Sequence, residues 1–284
     1  MKEYINNLTD QVDRSLVKDV NPQQGLLEQA VHYALTVKGK RLRPLLFLTL
    51  LDAYRLNISG YMDVACAIEY IHTYSLIHDD HPSMDDDDFR RGMPTVHKKF
   101  NDAIALLAGD TLLTMAFERI SLSVLPSQKI VNILRILTSS IGLKGMAGGQ
   151  ALDLEFKGDR DLIVEIHRMK TAELIKGVIL SAAEIIGMEE SECNILGQAG
   201  TSIGIAFQMA DDLLDIEGDE YEVGKKLNKD EQNRSPNAAV FWGPDFVRRE
   251  MERYYRFAIE RIEELAIDFP PFLYLMAKMV FRKK

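Results

Sequence analysis

The sequence has few of the features that mark secreted or membrane proteins. It contains two cysteines, Cys66 and Cys193, which lie in helical patterns without metal-like spacing and are predicted to be reduced core thiols. The longest apolar candidate, Leu45–Leu51, is far shorter than the roughly 18 residues that a membrane helix needs. The first ten residues carry acids and amides rather than a basic start and an apolar core, so no signal peptide is predicted. We expect a cytoplasmic protein without a membrane span.

An excess of basic residues is also missing. The net charge is −9, which argues against general nucleic-acid binding, because a phosphate backbone requires a basic surface. The acids crowd two stretches, one formed by Asp79, Asp80, Asp85, Asp86, Asp87 and Asp88, and the other by Asp211, Asp212, Asp215, Glu217, Asp219, Glu220 and Glu222. Basic residues cluster elsewhere, at Lys38, Lys40, Arg41, Arg43, Arg90 and Arg91. This segregation of charge is the first indication of a functional site.

Apolar residues recur at helical spacing along almost the whole chain, as at Val64, Ile68 and Ile71, and no run alternates with period two. We therefore predict an all-α protein that forms a single domain over residues 1–284. The predicted helices are 1–19, 23–37, 41–55, 60–80, 87–98, 101–124, 127–156, 160–187, 189–217 and 245–266, with a short helix closing the chain.

The second acidic stretch lies at the end of a predicted helix. Asp211 and Asp215 are four residues apart, so their carboxylates lie on one face of that helix, with Asp212 beside them. A solvated run of charges at a helix end is the usual interpretation of such acids. Here the preceding residues 203–210 are mostly apolar and small, which favours a functional cluster instead.

The first acidic stretch follows the same logic, because Asp79 and Asp80 end an apolar helix and Asp85 follows after Pro82. Carboxylates are hard oxygen ligands that suit Mg²⁺, which binds through one or two carboxylates and the phosphates of a substrate. If the two clusters lie on facing helices, divalent ions would relieve their mutual repulsion and attract an anion. Nearby arginines can donate bidentate hydrogen bonds to phosphate oxygens. Together these features indicate a diphosphate as the ligand.

The motifs and their order resemble those of the trans-prenyl diphosphate synthases. Residues 79–85, followed by Arg90-Arg91-Gly92, resemble the first aspartate-rich motif of that family. Residues 211–215 resemble the second. Further matches, in the family's order, are Gly39-Lys40-Arg41-Leu42-Arg43-Pro44, Gly148-Gly149-Gln150 with Asp153, Met169-Lys170-Thr171 and Phe207-Gln208. Four residues, rather than two, separate Asp80 from Asp85, and this spacing resembles that of the bacterial farnesyl-type subgroup.

The resemblance implies a bundle of mostly antiparallel helices around a deep central cavity, usually as a homodimer. It implies a Mg²⁺-dependent prenyltransferase that condenses isopentenyl diphosphate with dimethylallyl or geranyl diphosphate and releases diphosphate. The expected product is farnesyl diphosphate, since Tyr74, five residues before Asp79, looks like the aromatic floor that stops chain growth. The alternative for Tyr74 is an ordinary core aromatic. A geranylgeranyl diphosphate synthase remains the alternative for the product.

The resemblance also assigns roles to matching positions. The metal ligands, for three Mg²⁺ ions that bridge the allylic diphosphate, would be Asp79, Asp80, Asp85, Asp211, Asp212 and Asp215. The allylic diphosphate would contact Arg90, Lys170 and Lys225, and isopentenyl diphosphate would contact Lys40, Arg43, His72 and Arg91. Expected catalytic residues are Lys170, Thr171 and Gln208, the last two as neutral oxygen dipoles that stabilise an allylic carbocation. Gln150 and Asp153 are weaker candidates for support.

Some positions depart from the family pattern. His81 stands where the family usually has leucine, which adds a polar group beside the metal cluster. Beyond Lys225 the match decays at Asn228 and over 233–236, in a loop that normally closes over the diphosphate. These changes leave metal binding as expected but bear on closure and turnover.

Three rival functions share part of this pattern. A terpene cyclase has the first aspartate motif but usually a different second metal motif, and it would give Lys40 and Arg43 no purpose. A metal phosphohydrolase is suggested by His78-Asp79 but leaves Arg90 and Arg91 unexplained. A non-catalytic subunit of a heteromeric synthase would be expected to lose one aspartate motif, whereas this chain keeps both.

Overall fold

The computed structural model describes residues 1–217, 236–265 and 270–281. The chain divides into two compact units, the first formed by Met1–Leu48 and Asn57–Pro126, and the second by Thr49–Leu56 and Ser127–Lys284. In the described residues the regular secondary structure of both units is helical apart from one short hairpin, which confirms the all-α prediction. The single domain over 1–284 stays a prediction.

The first unit contains most of the N-terminal helices. Its elements are α1 (Lys2–Leu16), α2 (Leu26–Thr36), α3 (Leu42–Ala53, of which residues to Leu48 belong here), a 3₁₀ turn (Ile58–Tyr61), α4 (Met62–Asp79), β1 (Phe89–Arg90), β2 (Met93–Pro94), α5 (Val96–Lys99) and α6 (Asp102–Ser121). The helix α4 packs against α1, α2 and α6. The buried Tyr70 on α4 donates its hydroxyl to the carbonyl of Leu16 at 2.7 Å and accepts from Arg119 of α6 at 2.6 Å. One aromatic side chain thus ties three helices together.

Arg41 lies at the start of α3 and is 2% exposed, although it belongs to one of the basic clusters of the sequence. Its guanidinium donates to Glu69 at 2.9 Å, to Asp13 at 2.7 Å and to the carbonyl of Leu35 at 2.7 Å. A buried cation is tolerated only when its charge and its donors are satisfied in this way. Arg41 is therefore a structural member of its motif, whereas Arg43, two residues on, is left for other contacts.

The prediction of a helix over 87–98 is wrong for most of its length. Residues 89–94 form a hairpin in which Phe89 pairs with Pro94 and Arg90 with Met93. The two loop residues, Arg91 and Gly92, both have positive φ, which gives a turn matching the twist of a two-residue hairpin. Only the end of the predicted segment is helical, as α5.

The second unit contains the C-terminal helices. Its elements are α7 (Ser127–Ile141), α8 (Met146–Leu154), a 3₁₀ turn (Arg160–Leu162), α9 (Ile163–Ile166), a π-helical segment (His167–Ala172), α10 (Glu173–Ile186), α11 (Glu190–Glu217), α12 (Ala238–Trp242), α13 (Pro244–Glu263) and α14 (Pro270–Val280). The 28-residue α11 packs against α10, α13 and the π-helical segment. The predicted helix 160–187 is helical over almost its whole length, but the helix type changes from 3₁₀ to α, then to π and back to α.

The predicted helix 127–156 is interrupted at residues 142–145, between α7 and α8. By length and composition alone, the stretch Ser127–Leu154 could cross a membrane. Core helices of water-soluble proteins meet the same criterion, so this is weak support for a membrane span.

The close approach of α11 to the π-helical segment yields a first prediction. A Cβ at Gly204 would collide with the Cα and Cβ of Ala172. Gly204→Ala should therefore lower the free energy of unfolding by about 1–3 kcal/mol, the usual cost of overpacking. Gly197→Ala on the same helix is the matched control, because its Cβ meets its nearest atom, Leu180 Cδ2, at 3.9 Å.

Urea unfolding of both variants measures this difference. The control should be neutral or more stable by up to about 1 kcal/mol, as expected when a helical glycine becomes alanine without strain. Equal stability of the two variants would contradict the tight approach at Gly204.

Candidate active site

The first acidic motif is built at the C-terminal end of α4. Asp79 is the last residue of the helix and Asp80 is its cap. The chain then folds back, because the backbone N–H of Asp85 donates to the carbonyl of Asp79 at 2.9 Å and that of Asp87 to the carbonyl of Asp80 at 3.2 Å. Asp85, which is exposed, therefore returns to the end of the helix that carries Asp79.

The two neighbouring aspartates of this motif have different surroundings. Asp79 is half-buried, whereas Asp80 is 4% exposed and accepts from Arg90 Nε at 2.7 and 2.9 Å. Burial raises the pKa of the Asp80 carboxyl, and the hydrogen bond and charge of Arg90 offset part of that rise. Asp80 thus holds Arg90 of the hairpin in place, although 28% of the Arg90 side chain remains exposed.

Basic residues of the first unit form a second group. Arg43 lies 3.1 Å from His72 Nε2. Since a guanidinium can only donate, His72 accepts at Nε2 and carries its proton on Nδ1. Burial, followed by the positive charges of Arg43 and Arg91, lowers the pKa of His72 well below its ordinary value, so the ring is neutral.

Arg91 reaches the same region across the backbone of Gly39, where an added Cβ would collide with its guanidinium. A larger residue at position 39 would therefore displace the Arg91 guanidinium from this place. Lys40, the next residue, is exposed. The structure thus brings Arg43, His72 and Arg91 together, as expected for a shared anionic ligand.

The second acidic motif lies near the C-terminal end of α11. Asp211 is half-buried, whereas Asp212 and Asp215 are each 3% exposed. The Asp212 carboxylate accepts from the backbone N–H of Ala238 at 2.7 Å and from Gln208 Nε2 at 3.1 Å, and lies 3.2 Å from His167 Nε2. Asp212 therefore anchors the start of α12 and the π-helical segment to α11.

The residues expected to be catalytic lie on the π-helical segment and α11. Thr171 donates its hydroxyl to Gln208 Oε1 at 2.8 Å, and Gln208 in turn donates to Asp212. Lys170, from the same segment, pairs with Asp153 of α8. A π-helical turn inside an otherwise α-helical run is frequently found at functional sites. Lys170 is thus held directly by Asp153, and Thr171 is linked to Asp212 through Gln208.

Glycines permit this arrangement, since a Cβ at Gly149 would collide with the backbone of Lys170. Gly149 thus allows α8 to approach the π-helical segment closely. Gln150 is 7% exposed, and among the described residues neither of its side-chain polar atoms has a hydrogen-bond partner. Its supporting role stays a prediction.

Two residues of this network were missed from the sequence. His167 contacts Asp212, and Asn237 donates to the backbone carbonyl of Asp212 at 3.3 Å while it caps α12. His167 lies one helical turn before Lys170 and Thr171, which is a usable signal. Asn237 precedes an apolar run, as N-cap residues do. Lys225 and the diverged positions up to 235 lie outside the described residues.

Tyr74 lies on α4 and is half-buried. Its ring packs edge-on against His78, one turn further along, with centroids 5.8 Å apart. Burial, with a smaller effect of the Asp79 charge, raises the pKa of Tyr74 to about 12. The phenol is therefore neutral and close to the acidic end of α4.

Comparison with known proteins agrees with this geometry. A family model described as polyprenyl synthetase matches residues 24–252. The chain is 43% identical over 213 residues to a farnesyl diphosphate synthase of Bacillus subtilis, covering 73% of this chain and 72% of that protein. It is 35% identical to a geranylgeranyl diphosphate synthase of Cyanophora paradoxa, covering 91% and 89%.

Solved structures show the same fold. A geranyltransferase of Helicobacter pylori, complexed with magnesium and isoprenyl diphosphate, is 30% identical with a TM-score of 0.84, over 98% of this chain and 95% of that one. A geranyltranstransferase of Thermotoga maritima is 29% identical with a TM-score of 0.81, over 97% of each chain. Because the family model matches most of the chain and the Bacillus subtilis and Cyanophora paradoxa relatives are at least 35% identical to it over most of their length, the chain belongs to the polyprenyl synthetase family.

Proposed function

We propose that this protein is a farnesyl diphosphate synthase that condenses isopentenyl diphosphate with dimethylallyl and then geranyl diphosphate. The group of Arg43, His72 and Arg91 carries this proposal, because two guanidiniums placed beside His72 could bind the phosphates of a second substrate. A terpene cyclase binds one diphosphate and would have no use for that group. The relatives at 40–43% identity that bear the farnesyl name support the product assignment.

The carboxylates of the two motifs fit Mg²⁺. The half-buried Asp79 and Asp211 and the exposed Asp85 offer hard oxygen ligands, and the backbone bond from Asp85 to Asp79 brings two of them to one helix end. When bound, Mg²⁺ would neutralise the diphosphate and favour its departure. Asp80, Asp212 and Asp215 are buried and fit supporting places. That three ions bind is part of the proposal.

The side chains of this chain would then act on the two substrates. Arg90 and Lys170 are held by Asp80 and Asp153 with their cationic ends partly exposed, so they can bind phosphate oxygens as negative charge develops. The oxygen of Thr171 retains lone pairs after donating to Gln208, so it can face an allylic cation without a proton between them. Water has to be excluded, because it would trap such a cation.

Both aspartate motifs are retained, which favours an enzyme over a non-catalytic subunit. A homodimer is proposed from the family resemblance. The most informative measurement is product analysis after incubation with Mg²⁺, isopentenyl diphosphate and each allylic diphosphate in turn. No condensation with any of them would contradict the proposal.

The first test concerns the half-exposed aspartates. Asp79→Ala and Asp211→Ala should each lower kcat by at least about a hundredfold, as when a group that stabilises developing charge is removed. Asp10→Ala, at an exposed position of α1, is the control and should retain normal turnover. Turnover is measured with saturating Mg²⁺, and circular dichroism checks helix content. Near-normal turnover of either site variant would rule out the metal-bridge assignment.

The second test separates the two diphosphate sites. Arg43→Ala should weaken isopentenyl diphosphate binding by about 1.5–3 kcal/mol, roughly tenfold to a hundredfold, because a charge-assisted contact is lost. Binding of the allylic diphosphate should change far less. Arg135→Ala, at an exposed position of α7, is the control. Calorimetry with each substrate measures both affinities, and equal losses would overturn the two-site assignment.

The third test addresses product length. If the Tyr74 ring is the floor of the tunnel, Tyr74→Ala should shift the product from fifteen carbons to about twenty or more, with overall activity largely kept. A position five residues before Asp79 lies about 7.5 Å lower on the helix, although it is rotated by about 140°. Chromatography of dephosphorylated products compares the two proteins. An unchanged product would place the floor elsewhere, and a wild-type product of twenty carbons would refute the farnesyl assignment.

A further inference from the structure

Beside the first aspartate motif lies a group of potential ligands that the proposed reaction does not use. One carboxylate oxygen each from Asp86 and Asp88 and one ring nitrogen of His97 lie within 4.8 Å of one another. Both acids are exposed, whereas His97 is 6% exposed. We propose that Asp86, Asp88 and His97 bind a divalent transition-metal ion such as Zn²⁺, at a site distinct from the expected Mg²⁺ ligands. The inference does not depend on the proposed reaction.

The hydrogen bonds around His97 leave one nitrogen for an ion. Thr95 donates its single hydroxyl proton to the carbonyl of Asp87 at 2.7 Å, so its oxygen must accept from His97 Nδ1 at 3.2 Å. The proton of the ring is thus on Nδ1, and Nε2 carries a bare lone pair. That Nε2 atom is buried, with no hydrogen-bond partner among the described residues. A metal-bound histidine typically has its other nitrogen held by such a partner.

The charges around His97 favour a neutral imidazole. Burial and the positive charge of Lys98 lower the pKa of His97, and the negative charges of Asp102 and Asp86 oppose this effect less strongly. Neutral imidazole is the form that binds metals.

His81, the residue that departs from the family pattern, borders the cluster, with its ring centroid 6.1 Å from that of His97. The backbone N–H of Ser83 points at His81 Nδ1 at 3.3 Å, which places the proton of a neutral ring on Nε2. This buried N–H has no hydrogen-bond partner among the described residues. It is suited to donate to an ion-bound water or to a ligating carboxylate.

The mixed nitrogen and oxygen donors decide the class of ion. Mg²⁺ prefers oxygen ligands alone, whereas Zn²⁺ takes imidazole and carboxylate together at about 2.0–2.2 Å, commonly with water as a fourth ligand. Ligand atoms at those bond lengths lie within about 4 Å of one another. The ligand atoms of Asp86, Asp88 and His97 lie within 4.8 Å of one another, and both acids are exposed, so small side-chain movements can bring them to such separations.

Lys98 is the competitor for this site. Its ammonium lies 2.8 Å from Asp88 and 3.9 Å from Asp86, and 42% of its side chain is exposed. The ammonium neutralises the acids from this partly exposed position, but it makes no hydrogen bond to His97 Nε2 in the part of the chain that the structure describes. Lys98 thus offsets the negative charge of Asp86 and Asp88, whereas a bound ion would also give the His97 Nε2 lone pair a partner.

The experiment titrates Zn²⁺ into the full-length protein against a chromophoric chelator, with Mg²⁺ in excess so that oxygen-only sites are filled. Wild type should bind one Zn²⁺ per chain. Asp86→Asn should weaken this binding by at least about tenfold, the lower end of what even an outer-shell partner of a metal site contributes. Asparagine tolerates the positive φ of residue 86, so the loop should be unchanged. Asp10→Asn is the charge-matched control.

Two further readouts make the outcome decisive. Lys98→Met should tighten Zn²⁺ binding because the competing ammonium is gone, and Zn²⁺ should shift the Nε2 resonance of His97 in a ¹⁵N spectrum of histidine-labelled protein. The proposal is overturned if wild type shows no saturable binding, if Asp86→Asn and Asp10→Asn bind alike, or if the His97 resonance does not move. Unchanged affinity of Lys98→Met would overturn the assignment of Lys98 as competitor.

Discussion

A buried carboxylate has to be surrounded by donors, and this requirement organises both acidic motifs. Asp80 meets it through Arg90, and Asp212 through Gln208, a backbone N–H of α12 and the neighbouring His167. Leaving either charge buried without partners would cost several kcal/mol. Each motif therefore holds a separate piece of chain at its helix end, and Arg90, Lys170 and Thr171, which are assigned to the substrates, lie on those pieces.

The paired aspartates divide two tasks between neighbouring residues. Successive positions on a helix point about 100° apart, so one member of a pair turns inward while the other stays accessible. Asp79 and Asp211 are the half-buried members, and Asp80 and Asp212 are the buried ones. The inner carboxylate fixes the local structure whether or not an ion is bound, and this leaves the outer one available as a ligand.

The sequence was sufficient for most of the helices, because apolar periodicity is a local property, and the order of the motifs indicated which residues form the candidate site. It failed at residues 89–94, where the turn is formed by Arg91 and Gly92 rather than by a typical Asn-Gly pair. The π-helical winding around Lys170 was also missed, and Gly149 and Gly204, which approach this segment closely, are remote from it in sequence. The burial of Arg41 arises likewise from acids 28 residues away on either side.

The chain of hydrogen bonds that ends at Asp212 has only one possible direction. A carboxylate can only accept hydrogen bonds, so the side-chain NH₂ of Gln208 has to face Asp212 and its oxygen has to face Thr171. The hydroxyl of Thr171 then donates its hydrogen bond to that oxygen. Every dipole in the row is thereby aligned by an anion at its far end. Asp212 therefore determines which side of the Thr171 hydroxyl carries the lone pairs, although it does not contact Thr171. A glutamate at position 208 has no NH₂ group to donate to Asp212, so the order of donors and acceptors would be lost.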